Sequence, residues 1–528
     1  MHRAKKPKLA LDTNIIEGLM RPDAFDHSVT VIDFEETHIS WLILTDDFVY
    51  KIKKAVVLDF LDFGDLEKRK FYCEEEIRLN QPWAPDLYLD VVPITLENGQ
   101  PRFAGSGEAI EYAVRMRRFD ADARLDKQLE QGQLSATDMR ELAMMIAARH
   151  SGALVVSAEH RDRIVAFTSE FMWDNLKALD GFTDNATLDS LKDWTGNELR
   201  AVEPLLLQRC DDGFVRDCHG DLHLANLVRL PDGIATFDCI EFNTDFRQID
   251  VMCDIAFLIM DLVERKRHDL ATHFLNRYLE VTGDYGGVTV LNLFFVYRCL
   301  VRAKVAVIRS QERKNVKTRD ADIDEAYSYC AMAVRQIADR DPVLVIMHGL
   351  SGSGKTWVSG QLMAALPAVR VRSDIERKRM TGLSEKASSH SEVDGGIYTE
   401  DTNRDVYGHL FRTAAAILAA GHNVILDAAF LKEEQRSAAL SVARRRHCPA
   451  TIVEVIAAAD VLRERIARRA QDKNTASEAN LEVLNDQMAT AETLTTTEKD
   501  IAITCENSGS FDAGAIVKKI REAVKVVY

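Results

Sequence analysis

The chain has 528 residues, room for about three to four structural units. With 46% hydrophobic and 28% charged residues it is neither a mostly disordered chain, nor collagen-like, nor a small disulfide scaffold. Lys+Arg number 67 against 83 Asp+Glu, a formal net charge of −16. That balance argues against nucleic-acid or anionic-membrane partners, while leaving room for a local basic site that takes small anions.

Met1–Ala10 carries Lys5, Lys6 and Lys8 with no apolar stretch behind them, so no signal peptide is expected. The longest apolar runs, such as Ile255–Met260 and Leu291–Val296, are too short to cross a bilayer. Nine cysteines form no Cys-x-x-Cys pair and are odd in number. This predicts reduced, buried thiols, including Cys218 and Cys239 near candidate sites, and a cytoplasmic location.

Along the chain, His38–Leu44 and Phe48–Lys53 flank Thr45-Asp46-Asp47 and predict a hairpin. Leu66–Asn80 reads as a charged amphipathic helix ending before Pro82. Tyr88–Thr95 and Ile110–Phe119 read as further strands. From Ser135 to Ile337 helical patterns dominate, interrupted by a strand-rich island over Val215–Phe237, with Tyr297–Ile308 and Asp322–Ile337 as the last two helices. Asp339-Arg340-Asp341-Pro342 marks a boundary, and from Val343 an alternating β/α pattern begins.

The island carries the first chemical motif. His219-Gly220-Asp221-Leu222-His223-Leu224-Ala225-Asn226 is followed by Ile234–Asp238. An Asp, an Asn five residues on, and a strand ending in Asp is the spacing of a catalytic loop with its metal site. Asp221 would orient or deprotonate a hydroxyl, and Asn226 and Asp238 would hold Mg²⁺ against nucleotide phosphates. A zinc site on His219 and His223 lacks further ligands. The string His-Gly-Asp-x-His-x-x-Asn resembles that of aminoglycoside phosphotransferases and choline-kinase-like enzymes, over about residues 30 to 310. That resemblance implies a nucleotide lysine, Lys51 with Lys53 as fallback, and a helix carboxylate, Glu76, paired with it. It also implies a hinge strand at Tyr112–Phe119. Two features depart from the protein-kinase pattern: no Gly-x-Gly-x-x-Gly lies between the first strands, and Asp238 is followed by Cys239-Ile240-Glu241. Asp250 and Asp254 are expected to brace the catalytic loop. Tyr297, Arg298, Arg302 and Lys304 either line an acceptor pocket or form a basic helix face.

The second motif is Gly349-Leu350-Ser351-Gly352-Ser353-Gly354-Lys355-Thr356, a Walker A loop between an apolar strand and a helix. Its glycines let backbone N–H groups wrap phosphate, Lys355 reaches the β/γ-phosphates and Thr356 can ligate Mg²⁺. Asn423–Asp427 is a strand ending on a carboxylate, Asp427, in a Walker B position. Val369–Arg372 leads to Asp374, where P-loop small-molecule kinases, which this region resembles, carry an Asp that binds the acceptor or takes its proton; Arg377 and Lys378 follow as either a substrate-phosphate site or a solvated basic face. Arg463, Arg465, Arg468 and Arg469 precede the polar stretch Gln471–Glu478 in the manner of a lid, with Arg465 and Arg469 the candidates to face phosphate. This region resembles P-loop kinases such as gluconate, shikimate and zeta-toxin-like kinases.

The whole chain is thus similar to bacterial tandem proteins that join an aminoglycoside-phosphotransferase-like domain to a P-loop ATPase/kinase domain. The expected fold is a two-lobed, α+β, protein-kinase-like domain over residues 1–340, with a small lobe at about 30–119 and a helical lobe at about 120–340. An α/β P-loop NTPase domain with a mainly parallel sheet follows over 342–528. The expected function is ATP- and Mg²⁺-dependent phosphoryl transfer to a small-molecule hydroxyl, with two nucleotide sites. The alternative is one kinase regulated by an ATP-binding switch that transfers nothing. The acceptor and the oligomeric state stay open.

Overall fold

A computed structural model describes residues 15–58, 61–338, 341–385, 387, 397, 399–469, 480–507 and 511–526, with backbone alone at 469 and 523–526. Chain contacts group into two compact units. The first comprises Met1–Leu134, Arg149–Phe167 and Arg209–Leu258; the second comprises Ser135–Ala148, Thr168–Gln208 and Ile259–Tyr528.

The first unit is built on a six-stranded antiparallel sheet. In spatial order its strands are Asp33–Glu36, Ser40–Leu44, Phe48–Lys53, Ala109–Arg117, Tyr88–Glu97 and Gln100–Phe103. The hairpin forms as expected, Leu42 standing opposite Lys51 and Leu44 opposite Val49. Side chains alternate across the sheet. Tyr50 and Ile52 join Ile43, Ile94 and Phe103 in one apolar layer. Val49 joins Cys73, Tyr88, Val114 and Val228 in another. Lys51 and Lys53 therefore share the face of Val49, the face that Cys73 of the next helix packs on.

That helix, Leu66–Asn80, starts at Asp65, whose carboxylate caps the Lys68 N–H at 2.8 Å. Its buried residues are Arg69, Cys73, Glu76 and Asn80, a stripe at helical spacing that is mostly polar. The inward face of this helix is thus a set of paired polar groups: Arg69, for example, forms a buried ion pair with Glu111 at 2.8 Å.

The second unit contains a five-stranded parallel sheet in the order Ala368–Arg372, Asn423–Asp427, Leu344–His348, Ala450–Ile456, Ala502–Glu506. Leu344–His348 is buried at every position and lies at the centre. A core of Val345, Met347, Val358, Leu362, Ile425, Val453 and Ile520 fills the space between sheet and helices. Arg372 and Asp427 are register partners at the carboxyl ends of adjacent strands, the end of a parallel sheet where ligands bind. The unit also holds the helices His268–Thr282, Val288–Glu312 and Val316–Ile337, the last two longer than the sequence pattern indicated. Within the unit His268–Thr282 meets the edge strand Ala368–Arg372. Asn276 donates to the Ala368 carbonyl at 2.9 Å and accepts from the Arg370 N–H at 2.6 Å, supplying the hydrogen bonds a neighbouring strand would make.

All nine cysteines are thiols outside any disulfide, and eight are buried, with Cys448 half-buried. Among the described residues no helix is long and apolar enough to cross a membrane. Asp339 and Arg340, part of the expected boundary, lie outside the described residues.

Candidate active sites

In the first unit Lys51 and Lys53 both converge on Glu76. Lys51 Nζ lies 2.8 Å from Glu76 Oε1 and 2.6 Å from Asp238 Oδ1. Lys53 Nζ lies 2.7 Å from Glu76 Oε2 and also bonds Glu241. Glu76 is fully buried, and Lys53 is 1% exposed. Burial pushes the Glu76 carboxyl up, but the charges of Lys51 and Lys53 outweigh it and hold it at about 2. The same carboxylates overcome the burial penalty on Lys51 and keep it charged. Of the three consecutive glutamates only Glu76 faces the lysines; Glu75 pairs with Arg78 and Glu74 with Lys70. Lys51 and its fallback Lys53 both pair with Glu76, and Glu241 joins them as a carboxylate the sequence reading did not single out. Its signal is in the sequence: a carboxylate three residues after Asp238.

The loop His219–Asn226 is fixed from beneath. Asp254, fully buried, accepts from the His219 N–H at 3.2 Å and the Gly220 N–H at 2.9 Å, and from His150 Nε2 at 3.1 Å. Asp250 takes a bidentate grip from Arg209 at 2.6 and 2.8 Å. The His219 ring accepts from the Asp221 N–H at Nδ1 (3.3 Å), so Nε2 carries the proton that is donated to the Phe237 carbonyl at 2.9 Å. Burial lowers its basicity, against the opposing pull of Asp254 and Asp221, and the ring serves as a neutral strut. Gly220 needs to be glycine: its φ is +83°, and a Cβ there would stand 2.8 Å from the Phe246 carbonyl.

Asn226 Nδ2 donates to the Asp221 carboxylate at 2.8 Å and to its carbonyl at 3.0 Å. Its amide oxygen is the atom left to offer a cation. The Phe237 N–H donates to the Asn226 carbonyl at 3.0 Å and the Ile240 N–H to the His219 carbonyl at 3.1 Å, tying the two segments together. Asp238 sits in the left-handed region at φ +62°, its N–H donating to Tyr88 Oη at 2.9 Å. A non-glycine residue held there is strained, and such strain collects at functional sites. Hard oxygen donors from Asn226 and Asp238 suit Mg²⁺. His219 and His223 form no metal site: one is the strut just described, and His223 Nε2 lies 3.3 Å from Asp221 Oδ2.

In the second unit the Walker-type loop follows His348. Gly349, Gly352 and Gly354 have φ of +144°, +85° and +92°. A Cβ on Gly349 would meet the Val455 carbonyl at 2.4 Å, and one on Gly354 would meet Asn507 Nδ2 at 2.0 Å. Ser353 Oγ is buried with no hydrogen-bond partner, an orphan that a bound phosphate oxygen would satisfy. This loop fits a nucleotide phosphate. Lys355 Nζ is folded back on the carbonyls of Gly349 (2.7 Å) and Leu350 (2.8 Å). The Ser351 N–H donates to the side chain of Gln487 at 2.8 Å. Arg465 is turned onto the loop as well, donating to the carbonyls of Ser353 (3.2 Å) and Asn507 (2.7 Å). The Arg469 side chain and Gln471–Glu478 lie outside the described residues.

Asp427 is buried and accepts from Ser359 Oγ at 2.8 Å, one helical turn beyond the exposed Thr356. Asp374 is half-buried in the first turn of the helix Ser373–Met380. Arg377 and Lys378 are buried, not solvated: Arg377 reaches the Ile397 carbonyl at 3.1 Å and Lys378 the Glu385 carbonyl at 3.0 Å. Arg302 pairs with Glu325 of the following helix at 3.4 Å.

Residues 344–494 match the family model described as an AAA domain. The chain is 28% identical over 459 residues, 85% of its length and 89% of theirs, to uncharacterized proteins of Mycobacterium tuberculosis and Mycobacterium bovis. Among solved structures it resembles a choline/ethanolamine kinase family protein from Mesorhizobium loti, at 10% identity and TM-score 0.38, over 62% of this chain and 98% of that one. It also resembles a gluconokinase from Sinorhizobium meliloti, at 19% identity and TM-score 0.24, over 35% and 91%. The architecture is as expected: an α+β part with an antiparallel sheet, and an α/β P-loop NTPase part with a parallel one.

Proposed function

We propose that the chain is an ATP- and Mg²⁺-dependent phosphotransferase acting on small-molecule hydroxyl groups, with one nucleotide site in each unit. The observation that carries this reading is the convergence of Lys51, Glu76 and Asp238 from three distant segments, beside a loop that presents Asp221 and Asn226. In the first site Lys51 neutralises nucleotide phosphates, Asn226 and Asp238 would hold the metal, and Asp221 accepts the hydroxyl proton. Bound Mg²⁺ would supply charge neutralisation at the transferring phosphoryl group. In the second site the loop 349–354 cradles phosphate with Lys355, Thr356 and Asp427 would hold Mg²⁺, and Asp374 faces an acceptor.

A second reading makes the P-loop part an ATP-binding switch without transfer. It is favoured by Arg465 and Lys355 both being engaged with the loop's own carbonyls. The test is ATP consumption by the full chain against a panel of hydroxyl metabolites, with Asp221→Ala and Lys355→Ala in parallel. Loss of acceptor-dependent turnover in Asp221→Ala alone supports the switch. Loss of a separate acceptor's turnover in Lys355→Ala supports two kinases. Full turnover in Asp221→Ala removes the first-site assignment.

A further inference from the structure

The environment of Asp427 is not set by the P-loop alone. Glu280, buried on the helix His268–Thr282, places Oε1 2.7 Å from Arg370 Nη2 and 3.7 Å from Arg372 Nη1. Arg370 continues inward, donating from Nη1 to the Thr356 carbonyl at 3.2 Å and to Ser359 Oγ at 3.3 Å. Ser359 Oγ in turn donates to Asp427 Oδ2. Arg372 Nε lies 3.9 Å from that same Oδ2. One carboxylate, about 150 residues upstream in sequence, therefore bonds Arg370 and faces Arg372, the two guanidiniums that flank the candidate metal ligand.

The consequence is competitive. A guanidinium and Mg²⁺ would compete for the same carboxylate, and a cation fully paired with Asp427 would weaken its hold on the metal. Arg372 stands between two carboxylates, 3.7 Å from Glu280 and 3.9 Å from Asp427, so its charge is shared and not committed to Asp427. Asp374 and Glu385 also face Arg372, but neither lies on an element that fixes Arg370 as well. We propose that Glu280 is a positioning residue of the second site, holding Arg372 back from Asp427 and bracing Arg370 under the Thr356 helix so that Asp427 stays available to Mg²⁺. This rests on the second site being a Mg²⁺–nucleotide site.

The experiment uses the full chain carrying Asp238→Asn, so that the first site does not contribute, and follows fluorescent ATP-analogue binding against Mg²⁺ concentration. Glu280→Gln is expected to raise the half-saturating Mg²⁺ concentration about tenfold, the scale seen when a group that orients a metal ligand is removed, with Mg²⁺-free affinity little changed. Adding Arg372→Gln should return the midpoint towards its original value. Asn276→Ala cuts the edge-strand hydrogen bonds but leaves every charge in place, so it should leave the midpoint where it was. A merely structural role for the helix would make Asn276→Ala and Glu280→Gln alike. An unmoved midpoint in folded Glu280→Gln, an equal shift in Asn276→Ala, or no recovery in the double variant overturns the proposal. If Glu280→Gln does not fold, Arg372→Gln alone decides: a lowered midpoint supports the proposal, and an unchanged or raised one overturns it. Lys355→Ala separates the two levels. If it binds as tightly as its parent, the second-site reading fails and the proposal with it; if it loses binding while Glu280→Gln shows no Mg²⁺ shift, only the positioning role fails.

Discussion

The two candidate sites hold their lysines in opposite ways. Lys51 is clasped by carboxylates that reach it from a helix and from a loop 187 residues away in sequence. Lys355 rests on carbonyls five and six residues before it. The first site is an electrostatic assembly that exists only when the unit is folded. The second holds its lysine by the backbone of its own short motif. Stability and chemistry should therefore be entangled at the first site and separable at the second.

The largest effect expected from this contrast is chemical. Asp221→Ala should lower acceptor-dependent turnover at the first site by about 10³-fold, within the range of a lost general base. Nucleotide binding that is sensitive to Lys355 should persist, and a parallel loss of it would merge what the comparison separates. Next, Glu76→Ala should destabilise the first unit by about 3–5 kcal/mol, because two buried ammonium groups lose a shared partner. Urea unfolding reads this directly. The pH dependence has a fixed sign. Glu76 titrates at about 2 when folded, below its ordinary value of 4.5, so its contribution is present above pH 4.5 and is lost as pH falls towards 2. In Glu76→Gln that part of the acid-induced loss should vanish; an unchanged acid profile would show that other carboxylates govern it.

Gly220→Ala comes third. Its positive φ and the 2.8 Å approach to Phe246 predict a cost of about 1–3 kcal/mol, with thermal unfolding as the readout. Smallest should be the stability change of Lys355→Ala, below about 1 kcal/mol, even where nucleotide binding is lost. A large destabilisation there would erase the distinction between the sites.

The same contrast explains what the sequence revealed. The P-loop is contiguous, so its glycines, Lys355 and Thr356 were legible, and Asn423–Asp427 has the expected bounds. The contact between Asp221 and Asn226, five residues apart in one loop, was legible for the same reason. Choosing Glu76 among three glutamates needed the helix phase, which follows from Arg69, Cys73 and Asn80 turning inward with it. Lys51 and Lys53 could not be separated by alternation because both point to one face, and the structure engages both. The short strand Gln100–Phe103 was missed; Pro101 within it is a weak strand former. Asn276 and Glu280 carried no local signal at all. Their partners lie some 90 residues on, and each alone reads as a helix-surface residue.

The pairing of Asn276 with the Ala368–Arg372 strand has a practical consequence. A fragment cut at residue 341 would keep the whole parallel sheet and the P-loop yet lose the helix that closes its flank. The outer strand would then show the Ala368 carbonyl and Arg370 N–H to solvent beside two arginines stripped of Glu280. An open strand edge of that kind recruits other copies of itself. Such a fragment should gather into assemblies in solution, and a fragment beginning before His268 should not.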